Sequence, residues 1–381
     1  MKLRVAVVTE SFLPSVNGVT NSVIRVLESL KRDGHEALIL APTTPAKEFL
    51  GFKVIEINRF YFKEFPVALP HLNLQGILED FKPDVVHVAA PFAFGRQAIE
   101  VAKRMNVPSV AIYQTDIAGY AQRYGVPFIR PAIDRMIGAI HRRATVNLAP
   151  TSEGAEYLRK IGAKNIGIWG RGVDLETYNP LRKDTAELKA LRAKIASEDE
   201  IVIGFVGRLA AEKQVERFAE LFDIPNTHFL IVGDGPEREN LENLFRGQKV
   251  TFAGKLGGEQ LANAYAQMDI FVHCGTEETF GQTIQEAQAS GLPVVAPASG
   301  GPKFLIDSGR SGFLVDQSKT GSYRARVQEL IDDFDLRFAM GLGARQAVLG
   351  KSWAQNNAKL FEHYSFAMTT NQNGRELELA R

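Results

Sequence analysis

The sequence has almost no cysteine: one residue, Cys274, in 381. That excludes an intrachain disulfide framework and any metal site built on paired thiolates. No stretch reaches the roughly 18 consecutive apolar residues that a membrane-spanning helix needs. The apolar start runs only from Val5 to Val8 before Thr9-Glu10, too short for a secretory leader, so a cytoplasmic protein is expected. Low-complexity tracts and short-period repeats are missing as well. What remains is ordinary globular composition, 45% hydrophobic and 23% charged, which rules out disorder, collagen or coiled coil for the whole chain. At roughly 150 residues per domain, the length predicts two domains or three, with enough chain to bury full cores unaided.

The net charge of +1 hides an asymmetry. Residues 1–172 carry 22 Lys+Arg against 15 Asp+Glu, a net +7, and the remainder carries 23 against 29, a net −6. Such a split suits an anionic surface partner for the first half, although drift in surface charge accounts for it equally well.

The pattern along the chain alternates strands with helices. Leu3–Thr9 reads as a buried strand, and Val19, Val23, Leu27 and Leu30 form the stripe of a helix from 19 to 32, with Gly34 past its end. Strands follow at 36–40, 85–89, 109–113 and 146–148, with a helix from 95 to 105 between the second and third of these. Pro150-Thr151-Ser152 reads as a turn and helix cap. The same grammar restarts with strands at 201–206, 228–232, 250–252, 270–273 and 293–296. Strands alternating with helices imply parallel sheets with right-handed crossovers. The expectation is an α/β chain of two doubly wound domains facing across a cleft. Domain boundaries are expected at 1–176 and 177–352, with the turn Tyr178-Asn179-Pro180 near the border. A final helix over 353–368 and a fraying tail over 369–381 complete the reading. Open parallel sheets bind ligands beyond the carboxyl ends of their strands, so reactive groups are sought in the loops that follow strands.

Three loops stand out. The first is Glu278-Thr279-Phe280-Gly281-Gln282, continuing to Glu286 and Ala287. Its two carboxylates flank a predicted helix start at Phe280, Gly281 and Gln282, with Glu286 expected on the first turn of that helix, where backbone N–H groups lack internal partners and bind anions. Acceptor-only carboxylates there suit sugar hydroxyls; a dipole-favoured, Glu-rich helix start is the plainer alternative. The second loop is Gly207-Arg208-Leu209-Ala210-Ala211-Glu212-Lys213, where two cations beside a predicted helix start suit a diphosphate. The third is Pro14-Ser15-Val16-Asn17-Gly18-Val19, where Gly18 lets a ligand approach the backbone, unless it marks only a turn. Gly233-Asp234-Gly235 and Gly300-Gly301 read as turn glycines. No complete G-x-G-x-x-G follows the first strand, which disfavours a dinucleotide-dependent dehydrogenase. His87 and His273 fall on strand-like segments and read as core. Cys274 adjoins the Glu278 loop and reads as an inert small side chain rather than a nucleophile. Arg59 to Phe65 interleaves aromatics with charges and suits either a membrane surface or core packing; the same choice stays open for the Ile133, Ile137, Ile140 face.

Taken together and in order, these features resemble the retaining GT-B glycosyltransferases of glycosyltransferase family 4. The carriers are the Gly18 loop, Arg171-Gly172-Val173-Asp174, Gly207-Arg208 with Lys213, Val232-Gly233-Asp234-Gly235, and Glu278 to Glu286 with Gly291-Leu292-Pro293. More narrowly, Glu10-Ser11-Phe12-Leu13-Pro14 and Tyr113-Gln114-Thr115-Asp116 resemble bacterial GDP-mannose-dependent α-mannosyltransferases of envelope glycolipid synthesis. The resemblance implies that Glu286 binds ribose hydroxyls and Glu278 the hydroxyls of the transferred sugar. It implies that Arg208 and Lys213 neutralise the diphosphate while Phe280, Gly281 and Gln282 present amides to it. Gly18 would approach that diphosphate from the other domain, and Asp116 would lie near the reacting sugar or acceptor. Gln114 stands where many relatives have His, so a general-base or charged role is lost there. The implied donor is GDP-mannose and the implied acceptor a lipid-linked glycolipid, of the phosphatidylinositol mannoside type, met at the inner face of the plasma membrane by a peripheral, reversible enzyme. No cofactor, no required metal and no nucleic acid are implied, since Arg208 and Lys213 can supply a metal's electrostatics. A UDP-glucose-dependent or other nucleotide-sugar enzyme of the same fold, a 2-epimerase and a non-catalytic sugar-binding protein are the rival readings.

Overall fold

The computed structural model describes residues 2–15, 17–42, 46–62, 65–89, 91–114, 130–278 and 280–379, with side chains described except at 60–67 and 373–379. The strands in chain order are β1 (Arg4–Thr9), β2 (Glu36–Pro42), β3 (Glu48–Phe49), β4 (Phe52–Ile57), β5 (Arg59–Phe62), β6 (Phe65–Ala68), β7 (Val85–Ala89), β8 (Ser109–Ile112), β9 (Val146–Ala149) and β10 (Ile166–Ile168). They continue with β11 (Ile201–Val206), β12 (Thr227–Val232), β13 (Val250–Gly254), β14 (Ile270–Val272), β15 (Val294–Pro297) and β16 (Gly312–Val315). The chain divides into two units, Met1–Arg171 with Trp353–Arg381, and Gly172–Ser352. The division falls at 171/172, five residues before the expected 176/177.

The first unit holds an eight-stranded sheet in the order β10-β9-β8-β7-β1-β2-β4-β3, parallel except where β3 turns back on β4. Its central strands are buried on both faces, which is why they read as unbroken apolar runs: Val5, Ala6, Val7 and Val8 are all fully buried. β1 pairs with β2 on one side and β7 on the other, so the strand order reverses at β1. β5 and β6 form a separate antiparallel hairpin. Lys63 and Glu64 lie outside the described residues. The long last helix, Trp353–Leu379, packs on this unit. Asn357 donates to the Arg25 carbonyl and to Ser29 Oγ, each at 2.9 Å. Tyr364 shares a hydrogen bond of 2.8 Å with His87 Nδ1, and burial holds that imidazole neutral, with its pKa lowered to about 3. The helix runs through the segment expected to fray from Thr369 onward; that segment has no proline, and its Glu and Leu residues favour helix.

The second unit holds a six-stranded parallel sheet, β13-β12-β11-β14-β15-β16, in which the order reverses at β11. Its apolar runs are again buried, with Val202, Ile203 and Phe205 and then Ile270, Phe271 and Val272 fully enclosed. The expected border turn at Tyr178-Asn179-Pro180 lies inside this unit, where Asn179 caps the 3-10 turn Pro180–Asp184. The border itself is an extended segment: the Val173 N–H donates to the Lys351 carbonyl at 2.9 Å, and Val173 bridges Ser352. By composition the first unit holds 25 Lys+Arg against 18 Asp+Glu and the second 20 against 26, so the units carry +7 and −6. Among the described residues, no helix is long and apolar enough to cross a membrane.

Candidate functional site

In the second unit the chain leaves β14 at His273 and forms a loop as far as Phe280 before the helix Gln282–Ala289. Gly281 caps that helix in the left-handed region, at φ 100°, a conformation that a residue with a Cβ resists. Phe280 anchors the turn by burial. Gln282, the first helical residue, donates through Nε2 to the Gly172 carbonyl at 3.0 Å. Glu286 was expected on the first turn; it is the fifth residue of the helix that starts at Gln282, and with 3.6 residues to a turn it opens the second. Its Oε2 accepts from the buried Tyr265 hydroxyl at 3.0 Å, and the same hydroxyl contacts the Thr283 carbonyl at 3.1 Å. One carboxylate oxygen is thereby held in place, and the carboxylate has further lone pairs to offer a ligand.

The second loop leaves β11, the strand beside β14, and carries both cations. Arg208 is exposed and makes no ion pair among the described residues. Lys213 was expected at a helix start. Instead it ends a 3-10 turn, Ala211–Lys213, because Gln214 at φ 50° breaks the helical geometry before a second 3-10 run, Val215–Leu221. The turn aims Lys213 Nζ at Glu278 Oε2, 2.6 Å away. Both side chains are mostly buried, 23% and 18% exposed, so the pair is better shielded from solvent than a surface bridge.

The glycines read as turn markers do something else. A Cβ on Gly233 would run into the Gly207 carbonyl, and one on Gly235 into the Leu209 carbonyl. The Leu209 N–H donates to the Asp234 carbonyl at 3.0 Å, and Leu209 returns a carbonyl to the Glu237 N–H at 2.9 Å. Gly275 backs the other flank, where a Cβ would lie 2.8 Å from the Glu212 carbonyl. Behind the Glu278 loop, Gly301 N–H donates to the Glu278 carbonyl at 2.6 Å, and a Cβ on Gly300 would stand 2.5 Å from that same carbonyl oxygen. Both reactive loops are therefore held by backbone contacts that only glycine permits.

His273 and Cys274 are buried at the foot of the Glu278 loop. Burial lowers the imidazole to about 4 and pushes the thiol far up, so neither is charged near neutral pH. Among the described residues, no group of three or more His, Cys, Asp or Glu is placed to hold a metal ion. The sequence contains one Asp-x-Asp triplet, Asp333-Phe334-Asp335; Asp333 caps the helix Phe334–Val348, accepting from the Leu336 N–H at 2.9 Å.

In the first unit, Gly18 opens the helix Gly18–Arg32, and Asn17 caps it by accepting from the Val19 and Thr20 N–H groups, each at 3.0 Å. The expected open approach at Gly18 is taken by a side chain: an added Cβ would stand 2.6 Å from Arg171 Nη1. Glu10 follows β1, where the strand order reverses. Its Oε1 accepts from the Phe92 and Gly95 N–H groups at 3.0 and 2.9 Å, while Oε2 is buried without a partner among the described residues. Gln114 is buried, and neither its Oε1 nor its Nε2 has a partner among the described residues. Asp116 lies outside the described residues. Of the Ile133, Ile137, Ile140 face, Ile137 and Ile140 are buried. Sequence reasoning assigned no part to Tyr265, Gly275 or the Arg171 side chain; the Gly233, Gly235, Gly300 and Gly301 signals were visible but taken for turns.

Residues 16–177 match the family model of Glycosyltransferase Family 4, and residues 189–347 that of Glycosyl transferases group 1. A GDP-mannose-dependent alpha-mannosyltransferase of Corynebacterium glutamicum is 39% identical over 97% of this chain and 90% of its own. One from Mycobacterium tuberculosis is 40% identical over 95% of this chain and 96% of its own. Among solved structures, a sucrose-phosphate synthase from Thermosynechococcus elongatus matches with a TM-score of 0.77, at 19% identity and complete coverage of both chains. Anabaena HepE in complex with UDP and glucose matches at 0.75, with 18% identity over 95% of this chain and 99% of that one.

Proposed function

We infer the activity from one premise: the chain belongs to glycosyltransferase family 4 and has the GT-B fold. It is a retaining α-mannosyltransferase that moves mannose from GDP-mannose to a lipid-linked acceptor in cell-envelope glycolipid synthesis. The observation that carries this reading is the Lys213–Glu278 pair at 2.6 Å, one loop away from the Gly281-capped helix start, in a chain that matches mannosyltransferases along nearly its whole length.

The chemistry follows from the donor inventory. An ammonium has three N–H donors, so Lys213 can keep Glu278 and still meet a phosphate oxygen. Glu278, with one oxygen on Lys213, offers the other to a sugar hydroxyl. Arg208 adds a second cation, and the amides at the helix start add fixed partial positive charge. Glu286, steadied by Tyr265, takes the ribose. As the bond from the sugar's anomeric carbon to the diphosphate breaks, the acceptor oxygen attacks from the same face and its proton passes to the departing phosphate oxygen. The protein supplies orientation and stabilises the developing charge. Two cations on the diphosphate make a divalent ion unnecessary. The acceptor stays in its bilayer, so the enzyme docks peripherally and reversibly on the cytoplasmic membrane face, and the first unit's net +7 suits anionic lipid.

The test is a panel of sugar nucleotides assayed for donor hydrolysis and for transfer to extracted envelope lipids. GDP-mannose should be the preferred donor. Preference for UDP-glucose would keep the fold and class but replace the donor, and binding without turnover would make this a sugar-binding protein.

A further inference from the structure

His273 takes no part in the scheme above, yet it sits at the root of the loop that carries Glu278. It follows β14 directly, and its backbone is fixed on both sides. Its N–H donates to the Val295 carbonyl at 2.9 Å, and its carbonyl accepts from the Tyr323 hydroxyl at 3.1 Å. Gln317 Nε2 donates to the carbonyl of the next residue, Cys274. The strand end therefore holds the imidazole in one place.

The side chain is 1% exposed, and neither ring nitrogen has a hydrogen-bond partner among the described residues. One of those nitrogens carries a proton and the other a lone pair. Leaving both unpaired in a core costs stability that an aliphatic side chain of similar size would not cost. The ring also borders the reactive loops. A Cβ on Gly275 would lie 3.5 Å from His273 Nε2, 3.4 Å from Lys213 Cα and 2.8 Å from the Glu212 carbonyl. Nε2 and the backbone of Lys213 thus edge one small space, left open by a residue with no side chain. Burial is the main cause of the imidazole's low pKa, about 4; Lys213 lowers it further, while Glu278 and the backbone of Gly275 raise it. The ring is close enough to feel both members of the pair. Two contacts tie the loops together beside it, Lys213 Nζ to Glu278 Oε2 at 2.6 Å and Gln214 Nε2 to Thr276 Oγ1 at 3.3 Å.

We propose that His273 is a positioning residue for the transfer step: its imidazole keeps Lys213 and Glu278 in place as the donor draws on them, offering the ammonium a lone pair or the carboxylate an N–H, directly or through one water. This rests on the nucleotide-sugar reading above. The polar ring is then kept at a cost in stability, because a misplacement of about 1 Å in such a pair costs on the order of a hundredfold in rate.

The experiment compares the full-length wild type with His273→Leu, His273→Gln, Lys213→Ala and the two double variants. It reads kcat and KM with GDP-mannose, single-turnover rates for the slow variants, and melting temperature. His273→Leu should lower kcat at least about tenfold and leave KM within about threefold, the pattern of an interaction made in the transition state. It should melt no lower than the wild type, because the unpaired nitrogens are gone. His273→Gln should recover part of the rate, since it keeps a donor and an acceptor. On the Lys213→Ala background, His273→Leu should cost less than about threefold, because residues that act as a unit are not additive. Unchanged kcat in His273→Leu overturns the proposal. So does a rate loss that accompanies a lower melting temperature and is equal on both backgrounds, which marks a core histidine. If His273→Leu does not fold, His273→Gln on the two backgrounds decides: no rate loss, or one that is the same without Lys213, overturns the proposal. A wild type that turns over UDP-glucose instead corrects the donor alone, since the same comparison is then run with that sugar nucleotide. A wild type that turns over no nucleotide sugar overturns both.

Discussion

Glu10 gives the first unit a pH-dependent stability that can be worked out in sign and size. Its carboxyl is buried at the end of β1, and burial raises its pKa from 4.5 to about 7 against the lowering effect of the N–H groups of Gly95 and Phe92. Desolvation wins because, among the described residues, Oε2 is enclosed without a partner while Oε1 takes the hydrogen bonds. The folded state therefore keeps a proton that the unfolded chain releases near 4.5. Stability from this group is fully present below the unfolded pKa and is lost as pH rises through about 7. A shift of that size corresponds to about 3 kcal/mol across the window, at 1.36 kcal/mol per unit. Glu10→Gln removes the titration and keeps an amide oxygen for Phe92 and Gly95. The wild type should be more stable than the variant near pH 5, or equal to it, and should lose ground by about 3 kcal/mol by pH 8. For a unit of this size that is a relative change of roughly 6–12 °C in melting temperature. Differential scanning calorimetry of both proteins at half-unit steps from pH 5 to 8 measures it. Melting curves that move in parallel with pH would refute the reasoning, and a wild type that gains on the variant as pH rises would show that the carboxylate, not the acid, is the folded form.

The remaining predictions concern the site and its surface. Glu286→Ala should weaken GDP by roughly 1.5–3 kcal/mol, the range for a hydrogen bond to a charged group; calorimetric titration reads this. The melting temperature should barely move, because Tyr265 keeps the Thr283 carbonyl. Arg208→Ala and Lys213→Ala should lower kcat more than they raise KM, as expected for cations that act on the leaving diphosphate. Wild-type turnover should survive excess EDTA, and activity that collapses with EDTA and returns with Mn²⁺ defeats the metal-free reading. The full-length protein should co-sediment with vesicles containing anionic lipid at low salt and be released at high salt, because screening shortens the reach of the first unit's net charge. Arg59→Ala with Lys63→Ala should reduce that binding while donor hydrolysis in solution stays near normal. Equal binding to neutral vesicles would assign the charge split to surface drift.

The central strands were legible because burial on both faces leaves a local mark: Val5 to Val8 and Ile201 to Val206 are apolar whichever neighbour they pair with. The segment from Glu48 to Ala68 left no such mark. β3 has two residues, and β5 and β6 mix aromatics with Arg59 and Pro66, so no period of two appears. β16 is four residues long and opens on Gly312, too short to separate from a loop. The border illustrates a different failure. Asn179-Pro180 carries strong turn chemistry, and it does make a turn, but one internal to the second unit. The border at Arg171–Gly172 is set by pairing with Lys351 and Ser352, and composition near residue 172 says nothing of a partner so far along the chain.

The same division runs through the site. Side chains that do chemistry are visible as residue types, which is why Arg208, Lys213, Glu278 and Glu286 could be named from spacing and resemblance. The direct pairing of Lys213 with Glu278 could not, because it depends on Gln214 breaking the helix expected to start at Lys213. What holds these groups is visible only as missing side chains. Gly233, Gly235, Gly275, Gly300 and Gly301 look like flexible turns in one dimension, yet a Cβ at any of them would meet a carbonyl oxygen at 2.8 Å or less. Glycine at these positions trades conformational freedom for close backbone contact, and the contact stiffens the loops that carry the charges. Substituting Ala at Gly233 should therefore shift Arg208 before it unfolds the unit, since the carbonyl it strikes belongs to Gly207, the residue next to Arg208.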